Sequence, residues 1–216
     1  MEPRTPKNTF QYDPEAARAH LRDVDRTLGK LIDQVGPCQM VIHEMMDPFQ
    51  MLLRSIANQQ LSGHAAAAIL RRVVETVGED PPTPQSVLST PDQKLREAGL
   101  SWAKVASVKD LAAKVLDGTV PTLDVLYKLE NEEIVERLTV VRGIGRWTVE
   151  MLLMFRLGRA DILPVTDLGV RKGYMLTFGL DDMPAPKELE KRCEHWRPYR
   201  SVASWYLWRA VDAVPQ

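Results

Sequence analysis

Two short stretches of this chain carry residue types and spacings that could do chemistry. The first is "VRGIGRWTVE", residues 141–150, where Gly143 and Gly145 bracket Ile144 and are flanked by Arg142 and Arg146, with Trp147 and Thr148 following. A tight glycine turn that opens a helix can hold a phosphate oxygen on backbone N–H groups, and two arginines would strengthen that contact. A plain corner between two helices has the same pattern, and the residues leave both readings open. A dinucleotide fingerprint does not fit, because it needs a third glycine where Thr148 stands and a strand before the turn. The preceding "NEEIVERL" instead reads as helix, with Glu132 and Glu133 in its first turn and Arg137 near its end. The second stretch is "PVTDLGVRKGYML", in which Asp167 stands where it would cap a helix. The amides of a helix start stabilise a carboxylate placed there.

Other candidate chemistry is thin. His20, His43, His64 and His195 share no metal-ligand spacing, and Cys38 and Cys193 are too few for a four-cysteine iron–sulfur cluster. The two cysteines allow at most one disulfide, and a pair of thiols is the plainer expectation. Glu150 and Asp161 read as surface or helix-end charges.

The elements that position these residues are helical. Asp13 as N-cap, Pro14 in the first turn and Gly36 past the end frame one helix over 13–36, with a stripe of Ala17, Leu21, Val24, Leu28, Leu31 and Val35. Helices are expected over "PFQMLLRSIANQQ" and from about 62 to 77, then a proline-broken connection, "DPPTPQSVLS". Further helices are expected near 91–98, 102–117, 131–138, 146–158, 168–179, 187–195 and 199–212. Strand alternation is nowhere sustained, so the fold class is all-α. A length of 216 residues with 44% hydrophobic and 26% charged residues suits one globular unit of two lobes. Residues 1–12 read as a loose arm and 13–216 as that unit, with one lobe about 50–165 and the other 13–49 plus 166–216. No apolar run approaches the roughly 20 residues of a membrane span, and the N-terminus has no signal core. The net charge of −1 excludes binding by bulk charge. From Arg137 to Lys172, however, seven basic residues face three acidic ones, a local excess of four.

In order along the chain, "SIANQQLSGHAAAAI", "AGLSWAKVASVKDLAAKV", the glycine turn with its continuation through "PVTDLGVRK", and "WRPYRSVASWYLW" resemble the 3-methyladenine DNA glycosylase II family of the helix-hairpin-helix DNA glycosylase superfamily. The matches span roughly 50–208 and look most like the short form without an extra N-terminal domain. The resemblance implies a two-lobed helical glycosylase of base excision repair. Such an enzyme flips an alkylated base, 3-methyladenine or 7-methylguanine, out of the duplex and hydrolyses its glycosidic bond.

The roles that follow are what the resemblance implies. Asp167 is the catalytic carboxylate, set to stabilise an oxocarbenium-like sugar and orient water, and capping the helix is compatible with that. Gly143, Ile144, Gly145, Arg142, Arg146 and Thr148 hold DNA. Trp147 offers an aromatic face to an electron-poor alkylated base, an attraction of about 0.5–2 kcal/mol. Relatives that also cut the backbone have lysine there and form an imine, so no lyase activity is expected. Trp196 is a second pocket wall or a packed core residue, while Met151 replaces an aromatic and Thr166 a glycine or aspartate of some members. For Trp205 and Trp208 packing is expected. Gln59, Gln60 or Leu61 fills the gap left by the flipped base, register favouring Gln60, or the segment is merely a polar helix end. No cofactor is required. The backbone carbonyls of Thr139, Val141 and Ile144 are candidates for a monovalent cation. The expected partner is double-stranded DNA carrying alkylated bases, met by a monomer, in the bacterial cytoplasm at the nucleoid or in a eukaryotic nucleus. A hairpin protein that only binds DNA, and a glycosylase for oxidised or deaminated bases, are the alternatives.

Overall fold

The computed structural model describes residues 10–43, 47–60 and 63–212. The described chain runs through α1 (Pro14–Val24), α2 (Arg26–Val35), α3 (Pro48–Asn58), α4 (Gly63–Val77), α5 (Pro84–Ser89), α6 (Asp92–Glu97) and α7 (Trp102–Leu116). It continues through α8 (Leu123–Leu126), α9 (Asn131–Thr139), α10 (Arg146–Phe155), α11 (Leu168–Phe178), α12 (Pro186–Arg192), a 3-10 turn (Glu194–Trp196) and α13 (Arg200–Asp212). The fold is all-α, with no strand among the described residues. None of these helices is long and apolar enough to cross a membrane. The chain divides into two compact units, Met1–Glu44 with Glu150–Gln216, and Met45–Val149.

Local chemistry explains where the helices depart from expectation. The single helix over 13–36 is in fact two. Asp25 takes an extended backbone (φ −142°) and its carboxylate accepts from the N–H groups of Thr27 and Leu28, capping α2. Side-chain capping thus outcompetes continuation of α1, and Val24 of the expected stripe is left 37% exposed. The proline-rich connection contains a helix. Pro84 suits a first helical turn, and Thr83 and Ser86 form a reciprocal capping box. α10 stops at Phe155 because Gly158 is left-handed (φ 62°), which lets the Leu157 and Arg159 N–H groups fold back onto the Leu152 and Leu153 carbonyls. The segment 187–195 likewise splits into α12 and the 3-10 turn.

In the first unit α11 and α13 pack backbone to backbone. A Cβ on Gly173 would lie 2.0 Å from the Leu207 carbonyl oxygen, so only glycine permits that approach. The start of α13 is stitched to the preceding loop. Ser201 N–H donates to the Ala160 carbonyl (2.9 Å), its hydroxyl donates to the Arg159 carbonyl (2.7 Å), and Asp161 pairs with Arg197 and the buried Arg200. The far side of α13 is tied to the end of α2, where the Tyr206 hydroxyl donates to the Gly36 carbonyl (2.8 Å). Asp161 is therefore an organising charge and not a surface one. Glu150, inside α10 and 4% exposed, is also not the surface charge expected. Cys38 and Cys193 are unbridged.

In the second unit Phe49, Leu52, Leu53 and Ile56 of α3 bury one face against α7, which contributes Val105, Val108, Leu111 and Ala112. Each of these side chains larger than alanine contributes about 1.5–3 kcal/mol on burial. α5 and α6 pack on α7 as well, and α4 packs on α3 and α6. α7 is thus the central helix of this unit.

Candidate functional site

In the first unit the chemistry centres on Asp167. It is the N-cap of α11, and its Oδ1 accepts from the Val170 N–H (2.8 Å) and from the Trp208 indole N–H (2.8 Å). Trp208 stacks on Phe155 with ring centroids 5.8 Å apart. A Cβ on Gly169 would lie 2.7 Å from Trp208 Cδ1, so the glycine pair one turn apart on α11 leaves the lane along which the indole reaches the carboxylate. The carboxylate is half-buried and held at one oxygen by two donors on two helices. A negative charge fixed in this way is pre-organised to stabilise a developing cation.

The tryptophan that meets Asp167 is thus Trp208, for which packing alone was expected. The sequence signal was Gly169 and Gly173 at helical spacing, which announces a close neighbour without naming it. Trp196 is 0% exposed, and its indole N–H donates to Asp25 (2.9 Å) while its ring sits among Tyr174, Phe178 and His195. As a pocket wall it is therefore corrected to a core residue that ties the α2 cap to the 3-10 turn. Asp25 is held below the usual carboxylate range: burial pulls it upward, but the Leu28 N–H, Trp196, His195 and the Thr27 N–H outweigh it. Met151 lies partly buried on α10, and Thr166 is exposed beside Asp167.

In the second unit the glycine turn is a hairpin between α9 and α10. The Val141 N–H bonds the Leu138 carbonyl (3.2 Å), and the Ile144 N–H bonds the Val141 carbonyl (3.0 Å). Ile144 is buried and anchors the turn. The two glycines have different reasons. Gly143 is left-handed (φ 80°) and a Cβ there would meet the Ser107 hydroxyl at 2.8 Å, so the fold itself demands glycine. Gly145 has neither constraint, since nothing lies within 4 Å of its Cβ position. The backbone at that point is bare and exposed.

The flanking charges are placed less simply than expected. The exposed Arg142 is fixed by its own N–H, which donates to Asp110 Oδ2 (2.7 Å), and Asp110 also pairs with Lys114. Burial raises the Asp110 carboxyl, yet the Arg142 N–H and Lys114 bring it below its ordinary value. Arg146 does not simply face solvent: its guanidinium makes a bidentate pair with Glu132 of α9 (2.9 and 2.5 Å), and this holds the Glu132 carboxyl low. Arg146 thus braces α10 against α9. Trp147, in the first turn of α10, is 48% exposed, and Thr148 behind it is half-buried.

The end of α3 meets this hairpin. Gln59 Nε2 donates to the Gly143 carbonyl (2.7 Å), and Lys104 Nζ donates to the carbonyls of Ala57 and Gln59 (both 2.8 Å). Gln60 follows, exposed and left-handed at φ 59°. Leu61 lies outside the described residues. Lys104, the lysine of the quoted "GLSWAK" stretch but given no role there, and Asp110, which no motif marked, come from one helix, α7.

Comparison with known proteins places this arrangement. The model of the "HhH-GPD superfamily base excision DNA repair protein" family matches residues 53–198. The DNA-3-methyladenine glycosylase 1 of Schizosaccharomyces pombe is 38% identical over 89% of this chain and 86% of its own length. The solved S. pombe 3-methyladenine DNA glycosylase in complex with abasic DNA superposes with a TM-score of 0.74 at 38% identity, covering 90% of this chain and 95% of that one. A DNA-3-methyladenine glycosidase from Bacillus halodurans gives a TM-score of 0.83 at 34% identity, covering 96% and 94%. With its hairpin, its capped aspartate and these likenesses, the chain belongs to the HhH-GPD superfamily of base excision DNA repair proteins.

Proposed function

We propose that this protein is a monofunctional DNA glycosylase that releases alkylated bases, 3-methyladenine above all, from double-stranded DNA. The observation that carries the reading is Asp167, a carboxylate fixed at the start of α11 by the Val170 amide and the Trp208 indole. As the bond between C1′ and the base nitrogen breaks, its electron pair leaves with the base and the sugar gains positive charge. Asp167 stabilises that charge and orients a water, whose oxygen bonds to C1′ while its proton passes to the carboxylate. The products are the free base and an abasic sugar.

The relatives support the substrate class: the S. pombe and B. halodurans proteins are both named for 3-methyladenine, and the former was solved with abasic DNA. The hairpin holds a phosphate beside the bare Gly145, and Arg142 supplies charge. Gln60 occupies the gap left by the extruded nucleotide, an extrusion that costs a few kcal/mol. The exposed face of Trp147 receives the electron-poor base. Because Trp147 stands where backbone-cutting relatives have lysine, no imine forms and the strand stays intact. A monovalent cation fits the hairpin in its donor chemistry. Thr139 ends α9, where carbonyls lack helical partners, and with Val141 and Ile144 it supplies neutral oxygens that would brace the turn against a phosphate.

The test is release of free base from methylated duplex, separated by chromatography, with strand nicking scored in parallel. Wild type should release 3-methyladenine without nicks before alkali, while Asp167→Asn binds the duplex and releases none. Duplex binding without release by wild type would overturn the reading, and nicks before alkali would overturn its monofunctional part.

A further inference from the structure

The glycosylase reading leaves open how the residue that replaces the flipped base is kept in place, and the second unit contains a device for it. A helix ends with carbonyls that have no partner in their own helix. At the end of α3 the protein itself takes up part of this demand. Lys104, reaching over from α7, donates to the carbonyls of Ala57 and Gln59, both at 2.8 Å. The Gln59 side chain extends the tie by donating to the Gly143 carbonyl at 2.7 Å, inside the glycine turn. The next residue, Gln60, is left-handed at φ 59° and exposed, and it alone among the described non-glycine residues has a positive φ. Such a backbone persists only where its surroundings hold it. α7 holds the turn too, since Ser107 fills the space beside Gly143 and Asp110 bonds the Arg142 N–H at 2.7 Å.

Resting on the glycosylase reading, we propose that Lys104 is a positioning residue for base extrusion: through the Ala57 and Gln59 carbonyls it fixes Gln60 at a set distance from the phosphate-holding turn. α7 then acts as the common rail for both parts that touch DNA. Lys104, Ser107 and Asp110 lie three residues apart on it, on one helical face. Binding of the phosphate and insertion of Gln60 thereby happen in one register along the duplex. Lys104 touches no reacting atom, and its effect is confined to the step in which a paired base leaves the stack.

The test compares two substrates under single-turnover conditions. One carries 7-methylguanine paired in a duplex, with 2-aminopurine beside it to report unstacking. The other carries the same lesion in a bulge, already unstacked. In Lys104→Met the ratio of paired to bulged excision rates should fall about tenfold or more, since misplacement of about 1 Å remote from the chemistry can cost about 100-fold. The 2-aminopurine signal should fall with it, and Lys104→Arg should restore both. Should Lys104→Met not fold, Gln59→Met, which cuts only the tie to Gly143, should shift the same ratio in the same direction. An unchanged ratio in a folded variant would overturn the proposal. Failure of the wild type to release base from either substrate, and to release 3-methyladenine from methylated duplex, would instead overturn the glycosylase reading.

Discussion

Gly173→Ala tests whether the α11–α13 contact makes the site. An alanine inside a helix is ordinarily the better residue, by about 0.8–1 kcal/mol over glycine. Here its methyl would lie 2.0 Å from the Leu207 oxygen and 2.6 Å from the Leu207 carbonyl carbon, against 3.4 Å for ordinary contact. The atoms in the way are backbone, so relief needs the two helices to part by the 1.4 Å between 2.0 and 3.4 Å. Overpacking of this kind costs about 1–3 kcal/mol. Trp208, next to Leu207, would be drawn away from Asp167 Oδ1, now 2.8 Å distant. Losing a hydrogen bond to a charged group costs about 1.5–3 kcal/mol more. The clash therefore outweighs the helix propensity, for a net loss of about 2 kcal/mol or more. In a chain of this size that lowers Tm by about 4–8 °C. Thermal unfolding measures the loss, and base release under single-turnover conditions should fall with it because the carboxylate loses a donor. Gly145→Ala is the contrast: its Cβ meets nothing within 4 Å, so stability should hold while affinity for duplex DNA drops. A Gly173→Ala protein as stable as wild type would refute the reasoning.

Two further outcomes follow from the polar contacts. Asp167→Asn keeps an acceptor for Val170 and Trp208, so its urea midpoint should stay near wild type, whereas Asp167→Ala strands both donors and should lose about 2–4 kcal/mol. Equal midpoints for the two variants would show that the cap does not depend on this carboxylate. Asp25 has a folded pKa below its unfolded value, so its contribution is complete above about pH 4 and is lost as pH falls through the folded pKa. Between pH 5 and 2, wild type should therefore lose more stability than Asp25→Asn. Parallel urea midpoints across that range would contradict the role given to Asp25.

The all-α class, most helices and the hairpin were legible because their causes are local. Apolar spacing, prolines in first turns and glycines past helix ends act within a few residues of themselves. The turn at 143–145 and the capping place of Asp167 could be read from neighbours in the chain. Local signals also misled where two of them competed. The stripe through residues 17–35 ran across Asp25, whose side chain caps α2 and divides the helix.

What only the tertiary structure decided is which side chain serves which. Five tryptophans share one composition. Yet Trp196 is sealed against Asp25, and Trp208 reaches Asp167 because two glycines on another helix clear its way. Lys104 belongs to a recognisable stretch, yet what it bonds is decided only when α7 sets it against the end of α3, 45 residues from Gln59. Local spacing determines where a helix starts, turns and stops. Hydrogen bonds that close over 40 residues or more exist only once the helices have packed, because the packing sets both the distance and how far water is kept from the bond.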